Sequence, residues 1–222
     1  MDILQGLKER KSIRAFKPDP VPRELIAQIL DTARWSPSWG NTQPWELAVV
    51  GGDQVKRLTA AFLAAYEQKT PSNPDIPMPE SWPDANKARY MACAAGLFGS
   101  MGIVREDRAG RLAHMLNMTQ GFGAPALIYV LFDRNLNLPY AMLDMGAIIH
   151  AVCLAAAARG LGTCIAAQLA LYPDIIRSHL KLPEGRQIVV GIALGYPDPQ
   201  APANAFRTDR EPLDTFVSWI GY

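Results

Sequence analysis

Three short stretches of this chain combine residue types at spacings that could do chemistry. The first is Arg10-Lys11-Ser12-Ile13-Arg14, with Lys8 before it and Lys17 after it; five bases and one acid fall within ten residues. Guanidinium forks and a serine hydroxyl on a short extended segment supply the several donors that a phosphate group needs. The competing account is a solvated charge run, and taken alone the statistics of such runs favour it. A nucleic-acid surface is weaker still, because no second basic cluster interleaved with aromatics supports it.

The second stretch runs from Ser36 to Trp45 and reads Ser-Pro-Ser-Trp-Gly-Asn-Thr-Gln-Pro-Trp. Prolines stiffen it near both ends. Between them stand the carboxamides Asn41 and Gln43, each both donor and acceptor. That pairing suits a heterocycle edge with alternating donors and acceptors, such as a pyrimidine-like ring. An ordinary turn before a strand is the alternative, and the density of such residues here puts the binding loop ahead.

The third stretch is Gly160-Leu161-Gly162-Thr163-Cys164. It lacks the third glycine of a dinucleotide fingerprint and follows a helix instead of a strand. Gly121-Phe122-Gly123-Ala124-Pro125-Ala126 matches G-x-G-x-x-A literally but leads into a strand instead of opening a helix. Both Rossmann readings fail, and no Walker lysine motif or G-x-S-x-G elbow occurs. His114, His150 and His179 lack metal-ligand spacing, so core or surface histidines are expected. Cys93, Cys153 and Cys164 sit in apolar runs, where a thiol is inert. Asp144 is odder, since a carboxylate on an apolar helix needs a partner; a structural ion pair is expected.

The elements that must position these residues follow from periodicity. Residues 2–10 predict a short helix with Ile3, Leu4 and Leu7 on one face, and 22–34 a better one with Leu25, Ile26, Ile29, Leu30 and Ala33 as its stripe. Residues 45–50 read as a buried strand. Asp53 is the expected N-cap of a helix carrying Val55, Leu58, Phe62 and Tyr66. Five prolines between residues 70 and 83 exclude regular structure and predict a loop or lid. Helices follow at about 84–101 and 106–119, a strand at 126–132, a long apolar helix at 140–159, strands at 163–167 and 187–194, and a helix from Pro173 to near Leu182. The tail from Ala205 is irregular to partly helical. Mixed elements without a βαβ rhythm favour an α+β domain, a small sheet wrapped by helices. The long helix is apolar on more than one face, and a dimer interface is one way to bury its second face.

Composition bounds the rest. The chain has 222 residues, 49% apolar and 19% charged, enough for one sizeable core, so residues 1–222 are read as a single domain. Disorder is excluded as a global description. Twenty-two basic against 21 acidic residues leave +1, which gives no general footprint for nucleic acid or an anionic membrane. Three cysteines argue against a disulfide scaffold. The chain opens Met-Asp-Ile-Leu-Gln without the basic and apolar regions of a signal peptide. The nearest approach to a membrane span, Met145 to Ala158, falls short of the roughly 20 apolar residues a bilayer needs. A cytoplasmic location is the expectation.

The order of these pieces resembles the FMN-dependent nitroreductase family across essentially the whole chain. The residues that carry the resemblance are Arg-Lys-Ser-Ile-Arg-Ala-Phe at 10–16, the loop at 36–45, Phe-Gly-Ala-Pro-Ala at 122–126, Gly-Leu-Gly-Thr-Cys at 160–164, Gly-Tyr-Pro-Asp at 195–198 and the tail from Arg207 to Leu213. The resemblance implies a nitroreductase-like α+β fold, an intertwined homodimer and two FMN sites at the subunit interface. By that resemblance Arg10, Lys11, Ser12 and Arg14 hold the flavin phosphate and ribityl chain and reach the ring, and Arg210 with Arg207 completes the phosphate site. Pro37, Ser38, Trp39 and Asn41, with Gln43 in the same motif, come from the other subunit and border the isoalloxazine. Backbone N–H groups of about Ala166, Ala167, Gln168 and Leu169 face flavin N5 and O4. Many relatives of this subtype carry a glutamine two positions after the Thr-Cys pair; this chain has Ala166 there and Gln168 two residues later. A backbone contact survives that change, whereas a side-chain contact does not.

The implied activity is NAD(P)H-driven, two-electron reduction of nitroaromatic or quinone-type acceptors by ping-pong kinetics, with the flavin carrying the chemistry and no metal. Arg14 is the candidate cation near flavin N1 and O2, and residues 70–120 would roof the substrate pocket. Relatives on the same scaffold also dehalogenate aromatic rings, dehydrogenate peptide-linked residues or break down flavin. Two other classes stay open: a flavin-binding or redox-sensing module without turnover, and a phosphate binder that has lost its flavin.

Overall fold

The computed structural model describes residues 2–222. Its centre is a four-stranded, fully antiparallel sheet of β1 (Glu46–Gly51), β2 (Ala126–Asp133), β3 (Gly162–Ala166) and β4 (Arg186–Gly195), in spatial order β1-β2-β4-β3. Every residue of β2 but its last is buried, and the strand's two-residue period divides them between two cores. Ala126, Ile128, Val130 and Phe132 enter one, and Leu127, Tyr129 and Leu131 the other. A register shift between Val130 and Leu131 sends Ile188 of β4 into the second core although Val190, two residues on, faces the first.

The first core is roofed by α2 (Arg23–Ala33) and α6 (Leu138–Ala157). The second is closed by α3 (Asp53–Glu67), α7 (Pro173–Leu180) and a 3-10 turn at Ala167–Ala170. The α+β expectation therefore holds, with helices on both faces of a small sheet. Remaining helices are α1 (Ile3–Glu9), α4 (Asp84–Ser100), α5 (Arg108–Thr119) and α8 (Pro202–Ala205).

Some expectations are corrected. Asp53 is not the N-cap of α3; Gly52 is, with φ +58°, and Asp53 begins the helix. Helix α6 starts two residues earlier than its apolar run suggests, because Asn137 accepts a hydrogen bond from the Tyr140 N–H and Pro139 fits the first turn. At 20 residues it is long and apolar enough to cross a membrane by length and composition, yet half of its most apolar window is packed inside the protein. The proline-rich segment 70–83 is irregular as expected, but it is tied down. Asp75 accepts from the Ile188 N–H and pairs with Arg177, and the Asn73 N–H donates to the Leu171 carbonyl.

Candidate functional site

The segment Arg10–Arg14 lies along the outer edge of β3. The Ile13 N–H donates to the Thr163 carbonyl at 2.9 Å, and Ser12 forms a parallel bridge to Thr163. Gly162 permits this approach: a Cβ there would stand 2.6 Å from Ile13 Cγ1. The Gly160–Cys164 motif is thus a seat for the basic segment.

From the other end of the chain, α8 brings up Asn204, whose residue is 5% exposed. Its Oδ1 accepts from the Arg14 N–H at 2.6 Å, and its Nδ2 donates to the carbonyls of Ala15 (2.8 Å) and Asp198 (2.9 Å). The Lys11 ammonium donates to the Asn204 carbonyl. This clamp, absent from the sequence reading, holds the tail beside the basic segment. A cavity of about 250 Å³ results, lined by Arg10, Lys11, Ser12, Arg14, Arg207 and Arg210 together with Leu7, Lys8, Phe206 and Thr208. All six residues expected at a phosphate converge here, and no carboxylate lines the cavity. Six cations around a serine hydroxyl fit a phosphate ester with two negative charges.

A separate aromatic cleft of about 1150 Å³ lies between α4 and α5. The His114 ring sits 5.4 Å from Phe98 and 6.2 Å from Phe122. Burial, and then the neighbouring Arg14 charge, push His114 below the usual imidazole range, so it is neutral near pH 7. The sequence gives no sign of this role, since a lone histidine on a helix has the same pattern in a core or on a surface. Of the stretch 70–120, the lining of this cleft comes from residues between Tyr90 and Met118, and the prolines contribute none of it.

The turn Ala166–Leu169 follows β3 directly. The Gln168 side chain donates to Thr119 Oγ1 at 3.1 Å, and Leu169 is wholly buried in the second core. What these two residues can offer a ligand is backbone. Cys164, between this turn and Arg14, is pushed up by burial and held back by Arg14, as suits an unreactive core thiol.

The carboxamide loop lines neither cavity. Residues Trp39–Asn41 form a 3-10 turn, and the Gln43 N–H donates to Ser38 Oγ at 2.9 Å. Asn41 and Gln43 adopt φ of +56° and +48°, a region where side chains other than those of Gly and Asn carry strain. Trp39 is 65% exposed and packs on Tyr140 at 5.6 Å. Asp144 holds the turn: its Oδ1 accepts from the Trp39 N–H at 3.1 Å. The expected ion pair of Asp144 is absent among the described residues, where its hydrogen-bond partner is the loop backbone. Within one chain, then, Pro37, Ser38, Trp39, Asn41 and Gln43 stand apart from the basic cradle.

The chain matches the description "Nitroreductase family" over residues 7–196. A 4-nitrobenzoate reductase of Pseudomonas putida is 33% identical over 213 residues, covering 96% of this chain and 93% of the relative. A nitrobenzene nitroreductase of Ectopseudomonas oleovorans is 30% identical, covering 96% and 95%. The crystal structure of an FMN and NADPH-dependent nitroreductase, NfnB from Sphigopyxis sp. strain HMH, superposes with a TM-score of 0.95 at 32% identity over the full length of both chains.

Proposed function

Because the chain belongs to the nitroreductase family, we propose that it is an FMN-dependent oxidoreductase that uses a nicotinamide donor to reduce nitroaromatic or quinone-type acceptors two electrons at a time. The observation that carries this reading is the meeting of Arg10, Lys11, Ser12 and Arg14 with Arg207 and Arg210 in one cavity, with a separate aromatic cleft on α4 and α5 whose His114 feels the Arg14 charge. FMN supplies the electron-transfer chemistry when bound. The cradle residues would hold its phosphate, and Arg14, the cation between cradle and cleft, would stabilise negative charge on the reduced ring. The backbone of Ala166, Ala167, Gln168 and Leu169 would face the ring edge. The neutral His114 ring and the apolar cleft wall would keep water from the bound aromatic. Donor and acceptor would occupy the same cleft in turn, which gives ping-pong kinetics.

A homodimer belongs to the same reading. Ile3, Leu4 and Leu7 on α1, Leu143 on α6, and Phe216, Trp219 and Ile220 of the tail are all at least 48% exposed in the single chain. Such an apolar surface is what an obligate interface covers. The second subunit would bring Pro37, Ser38, Trp39, Asn41 and Gln43 to the first subunit's cradle. A visible spectrum of the purified protein, before and after anaerobic NADPH or NADH, tests the proposal. Flavin bands that bleach, and recover on adding a nitroarene, support it; no flavin even after reconstitution with FMN would end it. Sedimentation equilibrium tests the dimer.

A further inference from the structure

The cleft between α4 and α5 has a charged side that the phosphate cradle does not use. Arg105, Arg108 and Arg111 line it, and no carboxylate does. Arg108 and Arg111, three positions apart on α5, share a helix face. Among the described residues none of the three makes an ion pair or a side-chain hydrogen bond, although Arg34, Arg89, Arg177 and Arg186 all do. The nearest acids in sequence are Glu106 and Asp107; neither lines the cleft, and Asp107 is turned to the backbone, where it accepts from the Gly110 N–H at 2.8 Å. Arg111 lies over the Phe98 ring at 4.4 Å, so an aromatic floor and a cation adjoin at this edge. Phe98 in turn meets His114, whose ring feels the Arg14 charge. Along α5, Arg108 stands six residues before His114, about 9 Å by helix rise. The cleft therefore runs from a cationic edge at Arg105, Arg108 and Arg111 to His114 across a strip of apolar and aromatic surface.

Resting on the nitroreductase reading above, we propose that Arg105, Arg108 and Arg111 are a specificity element that takes the carboxylate of an acidic nitroarene, so that its nitro group points toward Arg14. Arginine forks match a carboxylate bidentately, and three unpaired ones around an apolar cleft hold an anion without a competing acid. A neutral nitroarene fits the same apolar strip and gains nothing from the arginines. The relatives described above include reductases named for 4-nitrobenzoate and for nitrobenzene, so kinship does not choose between acid and neutral acceptors; the charge of the cleft does.

The test uses the FMN-loaded enzyme with 4-nitrobenzoate and its methyl ester, which keeps ring and nitro group and loses the charge. Arg105→Gln, Arg108→Gln and Arg111→Gln are compared by steady-state kinetics and by calorimetric titration of 4-nitrobenzoate into the oxidised enzyme. At least one variant is expected to raise both the KM and the Kd for the acid tenfold or more while changing the ester's KM less than twofold. Equal effects on acid and ester in all three variants would overturn the proposal. So would a rise in the KM for NADPH without one for the acid, which would give the arginines to the donor's phosphates. Ester turnover with arginine-independent acid binding sinks the anion site and leaves the nitroreductase reading intact. Arginine-dependent acid binding without turnover of either nitroarene does the reverse.

Discussion

Replacing Asn204 by alanine removes the side chain on which the phosphate cradle hangs. Three bonds are lost: the one accepted from the Arg14 N–H and the two donated to Ala15 and Asp198. The site is 5% exposed, so water does not replace them freely. At about 1 kcal/mol net for each neutral hydrogen bond, the loss is about 3 kcal/mol. For a chain of this size each kcal/mol moves Tm by about 2–4 °C, so the melting midpoint should fall by about 6–12 °C. The bond from the Lys11 ammonium to the Asn204 backbone carbonyl does not depend on the Asn204 side chain. The cradle should therefore loosen around Arg14 first, and FMN affinity should weaken by about tenfold or more, the equivalent of half of that stability loss. Circular dichroism melts of the apoprotein measure the first quantity, and flavin fluorescence quenching measures the second. Asn204→Asp keeps the Arg14 contact but turns two donors into acceptors that face carbonyls, and should be no better than alanine. A Tm shift below about 2 °C, under 1 kcal/mol on the same scale, with unchanged FMN affinity would refute the reasoning.

Three further predictions concern other parts of the chain. Tyr129 is fully buried at the sheet centre and its hydroxyl has no partner among the described residues. Tyr129→Phe should accordingly stabilise the fold by about 1–2 kcal/mol in urea titration, and a loss of stability would mean that the hydroxyl is satisfied after all. Asp144→Ala removes the acceptor under the Trp39 turn and should cost about 1–3 kcal/mol as well as activity. Asp144→Asn keeps an acceptor and should cost far less; equal damage from both would point to an ion pair after all. His114 is depressed by burial and by Arg14, so the unfolded chain binds its proton first. Its contribution to stability is present above about pH 6.5 and is lost as pH falls through the lower folded value. Wild-type Tm should therefore drop more steeply between pH 7 and 5 than that of His114→Gln, and parallel curves would contradict this account.

What the sequence made legible was whatever is periodic or clustered. The continuous run Ala126–Phe132 is readable as a strand because it is rich in aliphatic and aromatic residues on both faces, and it fills two cores. The bases at 10–14 are readable because they are contiguous. The polar residues that do the positioning are neither. Asn204 acts on Arg14 across 190 positions and Asp144 on Trp39 across 105, so nothing local distinguishes them from solvated or core-satisfied side chains. His114 acquires its character from Phe98, Phe122 and Arg14, which only the fold assembles. The arginines at 105, 108 and 111 resemble a solvated helix start in sequence. Their identity as a cleft edge depends on where α4 lies.

The cradle is made from two segments 190 residues apart in sequence, around Arg14 and Asn204. Arg10–Arg14 seats on β3 and must wait for Asn204, Arg207 and Arg210 before its cradle is complete. The sheet and both cores involve nothing after residue 196. The sheet and both cores can therefore condense while the anion site is still open, because its second half, Asn204 to Arg210, follows them in sequence. Once captured, a phosphate bridging residues 10–14 and 207–210 acts as a clip between segments that would otherwise fray, and the bound state gains stability by mass action. Arg207→Gln together with Arg210→Gln, which leaves the apolar tail in place, should give a folded but colourless protein and so separate cofactor retention from the fold.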